Sequence, residues 1–237
     1  MRAPLAVIPI EGMPEVRPGN VIAELVTIAA REQGTPLLDG DCLVVTQKIV
    51  SKAENRLVAL NPTDPAARRA LVESESTRVL RRRGDLLISE TRHGFVCANA
   101  GVDLSNVDEG KAALLPVEPD RSAKRIRDGV RSHAAVEVAV VVSDTFGRAW
   151  RHGLTDVAIG VSGLAAVVDL RGERDALGRE LQVTEVAVAD EIASAAELVM
   201  GKAAGVPVAI VRGLDPAWRR DGSARELVRP PAEDLFR

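Results

Sequence analysis

The sequence predicts a mixed α/β fold, and three observations lead to that prediction. Short aliphatic runs, such as CLVVT at 42–46 and VEVAVVV at 136–142, are typical of strands buried on both faces. Longer segments repeat apolar residues at helical spacing and carry capping signals. Strands and helices do not alternate strictly, so the class is α/β or α+β with mixed sheets. No boundary is evident, and we expect one unit spanning 1–237.

The N-terminal segments predict a strand and then a helix. MRAPLAVIPIEG at 1–12 contains a short apolar run without a cleavage-site pattern, which favours a strand over a signal peptide. Asn20 is a suitable cap for a helix over 21–33, and Gly34 ends that helix. The face of this helix that we expect to be apolar consists of Val21, Leu25 and Ile28.

Three segments between residues 39 and 103 are bounded by turn or capping residues. Residues 39–52 predict a turn followed by a buried strand. Asp64 precedes a proline and predicts the start of a helix over 65–84, with the arginines at 81–83 where the helix dipole favours cations. Residues 85–103 predict two short strands around a His-Gly turn.

The second half begins with a basic segment and a central strand. Residues 119–133 predict a basic helix interrupted by Gly129, and VEVAVVV at 136–142 predicts the central strand. The segment 156–172 is small and apolar, which fits a strand or a buried helix. Residues 206–213 predict another strand.

One more helix is expected near the C-terminus. Thr184 is its possible cap, Gly201 ends it, and the tail at 229–237 is polar and loose. Its apolar stripe consists of Val188, Ile192, Ala195 and Val199.

Composition excludes several functional classes. The net charge of −3 and an aromatic content of 2% argue against binding to nucleic acid, which needs basic surfaces and stacking rings. No apolar run reaches the roughly 18 residues needed to cross a membrane. The two cysteines, Cys42 and Cys97, form no disulfide framework, so we expect a cytoplasmic protein.

Two acids lie where apolar strands are expected to end. Asp144 and Thr145 follow the central strand, and Asp103 follows another strand with Asn106 close behind. Such groups can converge in space, and oxygen ligands are what Mg²⁺ prefers. The alternative is that both acids only cap turns or helices.

Cationic residues near these acids suggest phosphate binding. Lys48 and Lys52 follow one strand, and Arg148 and Arg151 follow Asp144. A glycine at 147 would let the backbone turn sharply or approach a ligand. The P-loop and dinucleotide fingerprints are both absent, so a nucleotide site must have another design. The scattered histidines do not suggest zinc, and no nucleophile elbow is present.

Six long segments together resemble the coenzyme F420-0:γ-glutamyl ligases, a family in which some members are fused to a nitroreductase-like domain. The resemblance covers nearly the whole chain and rests on residues 12–20, 39–56, 90–110, 143–164, 175–202 and 206–213. It implies GTP-dependent ligation of L-glutamate to coenzyme F420-0 or its dehydro precursor through an acyl phosphate. It also implies Mg²⁺ or Mn²⁺, K⁺ as a helper, a fold that is neither P-loop nor Rossmann, and a homodimer.

The resemblance also implies roles for individual positions. Asp103 and Asp144 would be catalytic, and with Thr145 they would bind the metal. The expected GTP contacts are Met13, Pro14, Glu15, Val16, Gln47, Lys52, Asn106, Met200, Gly201, Lys202, Ala203, Ala204, Gly205 and Val206. Our own inference adds Arg148 and Arg151 as substrate contacts for phosphate or glutamate carboxylates.

Two positions depart from the family pattern, and two other functions compete. Lys202 stands where some relatives carry an acid, which weakens the expectation of a second metal ligand there, and Gln47 stands where some carry serine. One alternative is another nucleotide- and metal-dependent phosphotransferase. The other is a regulator that binds nucleotide or RNA through the basic helix, whose cations are Arg121, Lys124, Arg127 and Arg131.

Overall fold

The computed structural model describes residues 4–235 and has mixed α/β architecture, as predicted. The strands are β1 (Ala6–Pro9), β2 (Cys42–Thr46), β3 (Leu57–Ala59), β4 (Ser76–Arg83), β5 (Leu86–Thr91), β6 (Val96–Ala98), β7 (Lys111–Ala113), β8 (Ala139–Arg148), β9 (Arg151–Ser162), β10 (Val168–Asp169), β11 (Glu185–Val186) and β12 (Val208–Arg212). The α-helices are α1 (Ile22–Glu32), α2 (Gln47–Ala53), α3 (Pro65–Ser74), α4 (Pro119–Ala134) and α5 (Val188–Met200). Short 3₁₀ helices span Asn99–Gly101, Pro216–Trp218, Ala224–Leu227 and Pro231–Glu233.

A five-stranded mixed sheet forms the centre of the molecule. Its order is β1-β12-β2-β8-β9, in which β2 and β8 are parallel and the other pairs are antiparallel. The strands are aliphatic because both faces are covered by helices. Leu43 and Val45 of β2 pack in the cluster that includes residues of α1 and α4, while Val44 packs with α5 on the opposite side. The result is a helix–sheet–helix arrangement.

A smaller lobe lies beside this sheet. It contains the β3–β7 pair, the β4-β5-β6 sheet and α3, and it has a core cluster of its own. Its apolar contacts come from Leu60, Val72, Leu87, Ala112 and Leu114, all of which are buried. No helix in the described chain is long and apolar enough to cross a bilayer.

Most predicted elements are confirmed. The strands at 42–46 and 206–213, the His-Gly hairpin between β5 and β6, and the basic helix are all present. Asp64 caps α3, since its Oδ1 accepts hydrogen bonds from the backbone N–H groups of Ala66 and Ala67 at 2.9 and 3.0 Å. The predicted first strand is β1, and residues 1–3 of that prediction lie outside the described chain.

The prediction for the buried face of α1 was wrong for two of its three residues, since only Leu25 packs against the core. Val21 is 50% exposed and Ile28 is 42% exposed. The buried side chains are instead Ile22, Ala23, Val26, Thr27, Ala29 and Ala30. Alanines on this face let the helix lie close to α4, where a Cβ on Gly129 would come within 2.6 Å of Ala23. Gly129 is therefore a close-packing residue in a continuous helix, not an interruption.

The helix predicted over 65–84 ends ten residues early. After Ser74 the chain becomes β4, whose arginines at 81–83 pair antiparallel with β5. The argument from the helix dipole therefore does not apply to them. All three arginines are exposed, and β4 is an edge strand of its sheet.

The central strand also extends further than the predicted range of 136–142. The central strand does not end at Ser143, because β8 continues to Arg148 and turns at Ala149 and Trp150 into β9. Gly147 is an extended strand residue rather than the turn. Residues 47–53 form α2, and the segment from 156 is a strand, the second half of this hairpin.

Two predictions about the C-terminal region also need correction. α5 begins at Val188, after strand β11, so Thr184 does not cap it. Ala195 and Val199 of the predicted stripe are only half-buried, and the buried face includes Ala193 and Ala196 instead. Gly201 does end the helix, with a φ of 60°.

The basic face of α4 is paired with acids. Arg121 and Lys124 form ion pairs with neighbouring helix acids, and Arg127 and Arg131 contact Glu137. Such pairs are typical of a helix face in solvent. The regulator hypothesis assigns nucleotide or RNA binding to this same face.

Candidate active site

A cleft of about 750 Å³ lies where the central sheet faces the smaller lobe. β2 and β8 run parallel with Thr46 opposite Ser143, so their carboxyl ends reach the same edge of the sheet. The loop after the Asn99–Gly101 helix and the loop after α5 complete the walls. A second cavity, about 290 Å³, lies beside Arg127 and Arg219.

The structure brings most of the predicted site residues into the larger cleft. The residues that line it are Met13, Pro14, Glu15, Val16, Gln47, Lys52, Asp103, Asn106, Asp144, Thr145, Gly201, Lys202, Ala203, Gly205 and Val206. Met200 is fully buried in the core beneath the loop, and Ala204 is an exposed residue of the loop itself. Lys48 also lines the cleft.

The two arginines that we had inferred as substrate contacts lie outside the cleft lining. Arg148 and Arg151 are exposed at the end of the β8–β9 hairpin. The guanidinium of Arg148 donates a hydrogen bond of 2.9 Å to the carbonyl oxygen of His152. Their role stays a prediction.

Asp144 holds a desolvated carboxyl group on β8. Burial raises the pKa of Asp144 to about 7, and repulsion from Asp103 and Asp156 acts in the same direction. The backbone N–H of Thr145 and the charge of Lys48 offset part of this effect. A carboxylate in such surroundings gains most from a bound cation, because its charge is otherwise poorly solvated.

Asp103 is positioned by an unusual backbone. Asn99, Ala100 and Gly101 all have positive φ, of 51°, 52° and 71°, and the chain then forms a bridge between Asp103 and Ala113. Burial would raise the pKa of Asp103, but the N–H of Ser105 and the ammonium of Lys48 outweigh it, so the pKa is lowered. Asp103 is therefore ionised at neutral pH.

Sequence reasoning missed Asp156, which lies at the centre of the polar network. Asp156 is 1% exposed as a whole residue. Its two carboxylate oxygens accept hydrogen bonds from Ser143 Oγ at 3.0 Å and Thr145 Oγ1 at 2.6 Å. Thr145 and Asp156 are direct partners across the antiparallel β8–β9 ladder. The available signal was a single acid inside an apolar strand, since buried acids need partners.

A lysine joins this network from the loop after α5. The Nζ of Lys202 lies 2.8 Å from Asp156 Oδ1 and 2.9 Å from Glu197 Oε1, and it also donates to Thr145 Oγ1. Glu197 was not predicted either. It lies one turn before the end of α5 and lines the cleft.

The donor set fits a hard divalent cation that is completed by a ligand. In the described chain, no three or more His, Cys, Asp or Glu side chains form a metal cluster by themselves. Two carboxylates and a hydroxyl, from Asp103, Asp144 and Thr145, are nevertheless enough for Mg²⁺, which usually keeps waters and takes substrate phosphates. The desolvated and mutually repelling carboxylates agree with that use.

Gln47 offers uncommitted hydrogen-bonding capacity to the cleft. Gln47 lines it and is 2% exposed, and its Nε2 has no hydrogen-bond partner within the described residues. Its Oε1 accepts a hydrogen bond from Ser51 Oγ at 2.9 Å, which holds the side chain in place. A buried amide donor without a partner is costly unless a ligand satisfies it.

Two polar contacts connect the walls of the cleft. Lys52 Nζ lies 2.5 Å from Glu15 Oε1, linking α2 to the loop after β1. Asn106 Nδ2 donates a hydrogen bond of 3.4 Å to the carbonyl oxygen of Lys202, linking the smaller lobe to the loop after α5. A molecule in the cleft would therefore be contacted from both lobes.

Known proteins with similar sequences identify the family. The family described as F420-0:Gamma-glutamyl ligase matches residues 12–213. The chain is 47% identical to the coenzyme F420:L-glutamate ligase of Methanothermobacter thermautotrophicus, with 98% of this chain and 99% of that protein covered. Proteins of the same name from Methanopyrus kandleri and Archaeoglobus fulgidus are 43% and 40% identical, over 94% and 98% of this chain and 94% and 96% of their own. The chain therefore belongs to the F420-0:gamma-glutamyl ligase family, and it is a ligase.

Proposed function

We propose that this chain joins L-glutamate to coenzyme F420-0 or its dehydro precursor, using GTP, and that it can extend the product by further γ-glutamyl additions. Ligation of glutamate in F420 biosynthesis follows from the family and its named relatives. The observation that supports GTP and metal use is the cleft, which combines repelling carboxylates, lysines and a buried amide without a partner in the described part of the chain.

Asp103, Asp144 and Thr145 would hold Mg²⁺ or Mn²⁺. When bound, the metal would neutralise negative charge on the phosphates of the nucleotide. The support is the raised pKa of Asp144, which burial and the neighbouring acids produce, because a cation would relieve that cost. Lys48 supplies positive charge on the same side, 3.0 Å from Asp103.

The nucleotide would bind between the two lobes. Gln47 offers an amide donor that has no partner among residues 4–235, and Lys52 and Asn106 supply further polar contacts on the same cleft. The loop at 201–206 would cover the nucleotide, since Gly201, Gly205 and the residues between them form one wall. Met13, Pro14, Glu15 and Val16 would form the opposite wall.

The reaction would proceed in two steps, phosphoryl transfer to a carboxylate and then acyl transfer to an amine. A carboxylate oxygen of the coenzyme precursor attacks the γ-phosphorus of GTP, the bond from that phosphorus to the β–γ bridging oxygen breaks, and GDP leaves. The free amine of L-glutamate then attacks the acyl carbon, the bond to the phosphate oxygen breaks, and inorganic phosphate leaves while the amine loses a proton. In both steps the protein mainly positions the reactants and stabilises charge on the phosphoryl group.

A single assay tests this proposal. Purified chain would be incubated with GTP, Mn²⁺, K⁺, L-glutamate and coenzyme F420-0, with measurement of GDP release and of the coenzyme mass. We expect a mass gain of one or more glutamyl residues that requires every component. Asp144→Ala should abolish the gain, whereas Asp108→Ala, which removes an exposed acid outside the cleft, should not.

The competing functions predict different results in the same assay. GDP release that does not depend on glutamate would favour a phosphotransferase. GTP binding without any turnover, weakened steeply by salt and retained in Asp144→Ala, would favour the regulator.

We also propose a homodimer. Leu154 and Leu198 are 68% and 87% exposed. They belong to β9 and α5, which are joined by a hydrogen bond of 2.9 Å between Thr155 and Ser194. A second copy that covers these leucines would lie at the rim of the cleft, because Leu154 also lines it. Light scattering of the wild type and of Leu198→Ser would test this, and a monomeric wild type would refute it.

A further inference from the structure

The loop after α5 places a cation inside an acidic pocket of the cleft. All three groups that contact the Lys202 ammonium are oxygens: Asp156 Oδ1 at 2.8 Å, Glu197 Oε1 at 2.9 Å, and the Thr145 hydroxyl. An ammonium has three N–H donors, so these oxygens use its full donor capacity. Oxygens are also the ligands that hard cations take, so the ammonium occupies a place where a metal ion could otherwise bind.

The acidic pocket needs this charge. The side chain of Asp156 is 2% exposed, and that of Glu197 is 19% exposed. The carboxyl group of Asp144 lies close enough for repulsion with Asp156. Buried carboxylates without a cation are strongly disfavoured, and removal of one partner from such a pair is costly.

Lys202 is also held from the backbone side. Its carbonyl oxygen accepts the hydrogen bond from Asn106, and Gly201 begins the loop with a φ of 60°. The Lys202 ammonium is charged at neutral pH, as lysines ordinarily are, and it faces the carboxylates of Asp156 and Glu197. The loop and its ammonium therefore close over the pocket together.

We infer that Lys202 is a built-in cation that fills the subsite formed by Asp156, Glu197 and Thr145, so that no exchangeable cation binds there. Lys202 is a positioning residue: it fixes Asp156 and the Thr145 hydroxyl, next to Asp144. The inference deepens the proposed function of the same cleft. It assigns one divalent ion, on Asp103, Asp144 and Thr145, and one fixed ammonium that holds the Thr145 hydroxyl in place beside that ion.

The test counts Mn²⁺ ions bound per chain, using electron paramagnetic resonance of free Mn²⁺ in equilibrium titrations. Lys202→Met removes the charge and keeps an unbranched side chain, one atom shorter than that of lysine. Lys202→Arg keeps the charge. Lys111→Met is the matched control, because Lys111 also pairs with an aspartate but lies outside the cleft lining.

We expect Lys202→Met to bind one more Mn²⁺ than the wild type, and Lys202→Arg and Lys111→Met to bind the same number as the wild type. Equal numbers in Lys202→Met and the wild type would overturn the inference. A wild type that binds no Mn²⁺ would refute only the metal part of the proposed function. The number of Mn²⁺ ions bound by Lys202→Met, compared with the wild type, would still test the inference.

Thermal unfolding supplies a readout that is independent of activity. In buffer without metal, Lys202→Met should melt below the wild type, and added Mn²⁺ should raise its melting temperature by more than it raises that of the wild type. The same shift in both proteins would contradict the inference. If Lys202→Met does not fold without metal but folds with Mn²⁺, the inference is supported, because an external ion then replaces the ammonium.

Discussion

Lys48 Nζ lies 3.0 Å from Asp103 Oδ2 and donates a hydrogen bond of 2.8 Å to Ser105 Oγ. These contacts join α2, the helix that follows strand β2 of the central sheet, to the smaller lobe across the cleft. The side chains of Lys48 and Asp103 are 18% and 29% exposed, so the pair is less screened than a surface ion pair. This contact helps to fix the distance between the two walls, and it supplies positive charge beside the proposed metal ligands.

Lys48→Met should destabilise the fold by about 1 kcal/mol at pH 7. The pKa of Asp103 is below its ordinary value of 3.8, so its contribution is complete above that value and is lost as the pH falls through the lowered pKa. Urea unfolding should therefore separate wild type and variant at pH 7, and the difference should shrink as the pH falls below 3.8. A difference that does not shrink below pH 3.8 would point to lost packing. Lys111→Met, in an exposed pair, should change little.

Asp144→Asn should make the metal-free protein more stable at pH 8. The pKa of Asp144 is raised by burial to about 7, so the native state holds a proton that the unfolded chain releases near 3.8. Wild-type stability then falls as the pH rises between those values, and the asparagine avoids this loss. We expect a gain on the order of 2 kcal/mol at pH 8, below the ceiling of about 4 that three pKa units allow.

Urea unfolding in EDTA between pH 4 and pH 8 would measure this effect. The stability difference between Asp144→Asn and the wild type should shrink toward zero at pH 4. A difference that does not change with pH would contradict the assignment. Asp108→Asn is the control, because Asp108 is exposed and its pKa is lowered by Lys111.

Gln47→Leu should separate ligand binding from stability. Gln47 is 2% exposed and its Nε2 has no partner within the described residues, so an apolar side chain of similar size removes an uncompensated donor. We expect unfolding stability to stay within about 1 kcal/mol of the wild type and GTP affinity to fall about tenfold. Isothermal titration with GTP would measure the affinity. Unchanged affinity would exclude Gln47 from the nucleotide contacts.

Much of the fold was predictable because local signals and tertiary packing agree. The aliphatic strands β2, β8 and β12 fill the centre of the sheet, and the Asp-Pro start of α3 carries its own cap. Where they disagree, packing decides. Ala23 of α1 is buried while Ile28 of the same helix is 42% exposed, and Ala23 lies so close to Gly129 of α4 that only small side chains fit there.

The candidate site was predictable only in part, since its polar network depends on strand register. Asp103, Asp144 and Thr145 were predicted from their positions after apolar segments and from the family resemblance. Asp156 was missed, because it meets Thr145 only through pairing across a hairpin. The irregularity in this ladder, where Ser143 pairs with Ala158 instead of Ile159, has no signal in the sequence.

The turn before Asp103 supplies a test of how backbone geometry supports the site. Gly101 has a φ of 71°, and a Cβ there would lie 2.7 Å from Leu115 Cγ. Gly110 has a φ of 77° and nothing within 4 Å of the same position. Alanine at either site meets the left-handed backbone penalty of about 1 kcal/mol, but only Gly101→Ala also overpacks the core.

We therefore expect Gly101→Ala to lose about 1–3 kcal/mol more unfolding free energy than Gly110→Ala. Because Gly101 precedes Asp103 by two residues, the shift that relieves the clash should also displace this carboxylate and weaken Mn²⁺ binding, whereas Gly110→Ala should bind Mn²⁺ normally. Urea unfolding and Mn²⁺ titration on both variants measure the two effects. Equal stability losses would show that Leu115 yields without cost, and weak Mn²⁺ binding in both variants would show that the whole loop, not the turn at Gly101, controls Asp103.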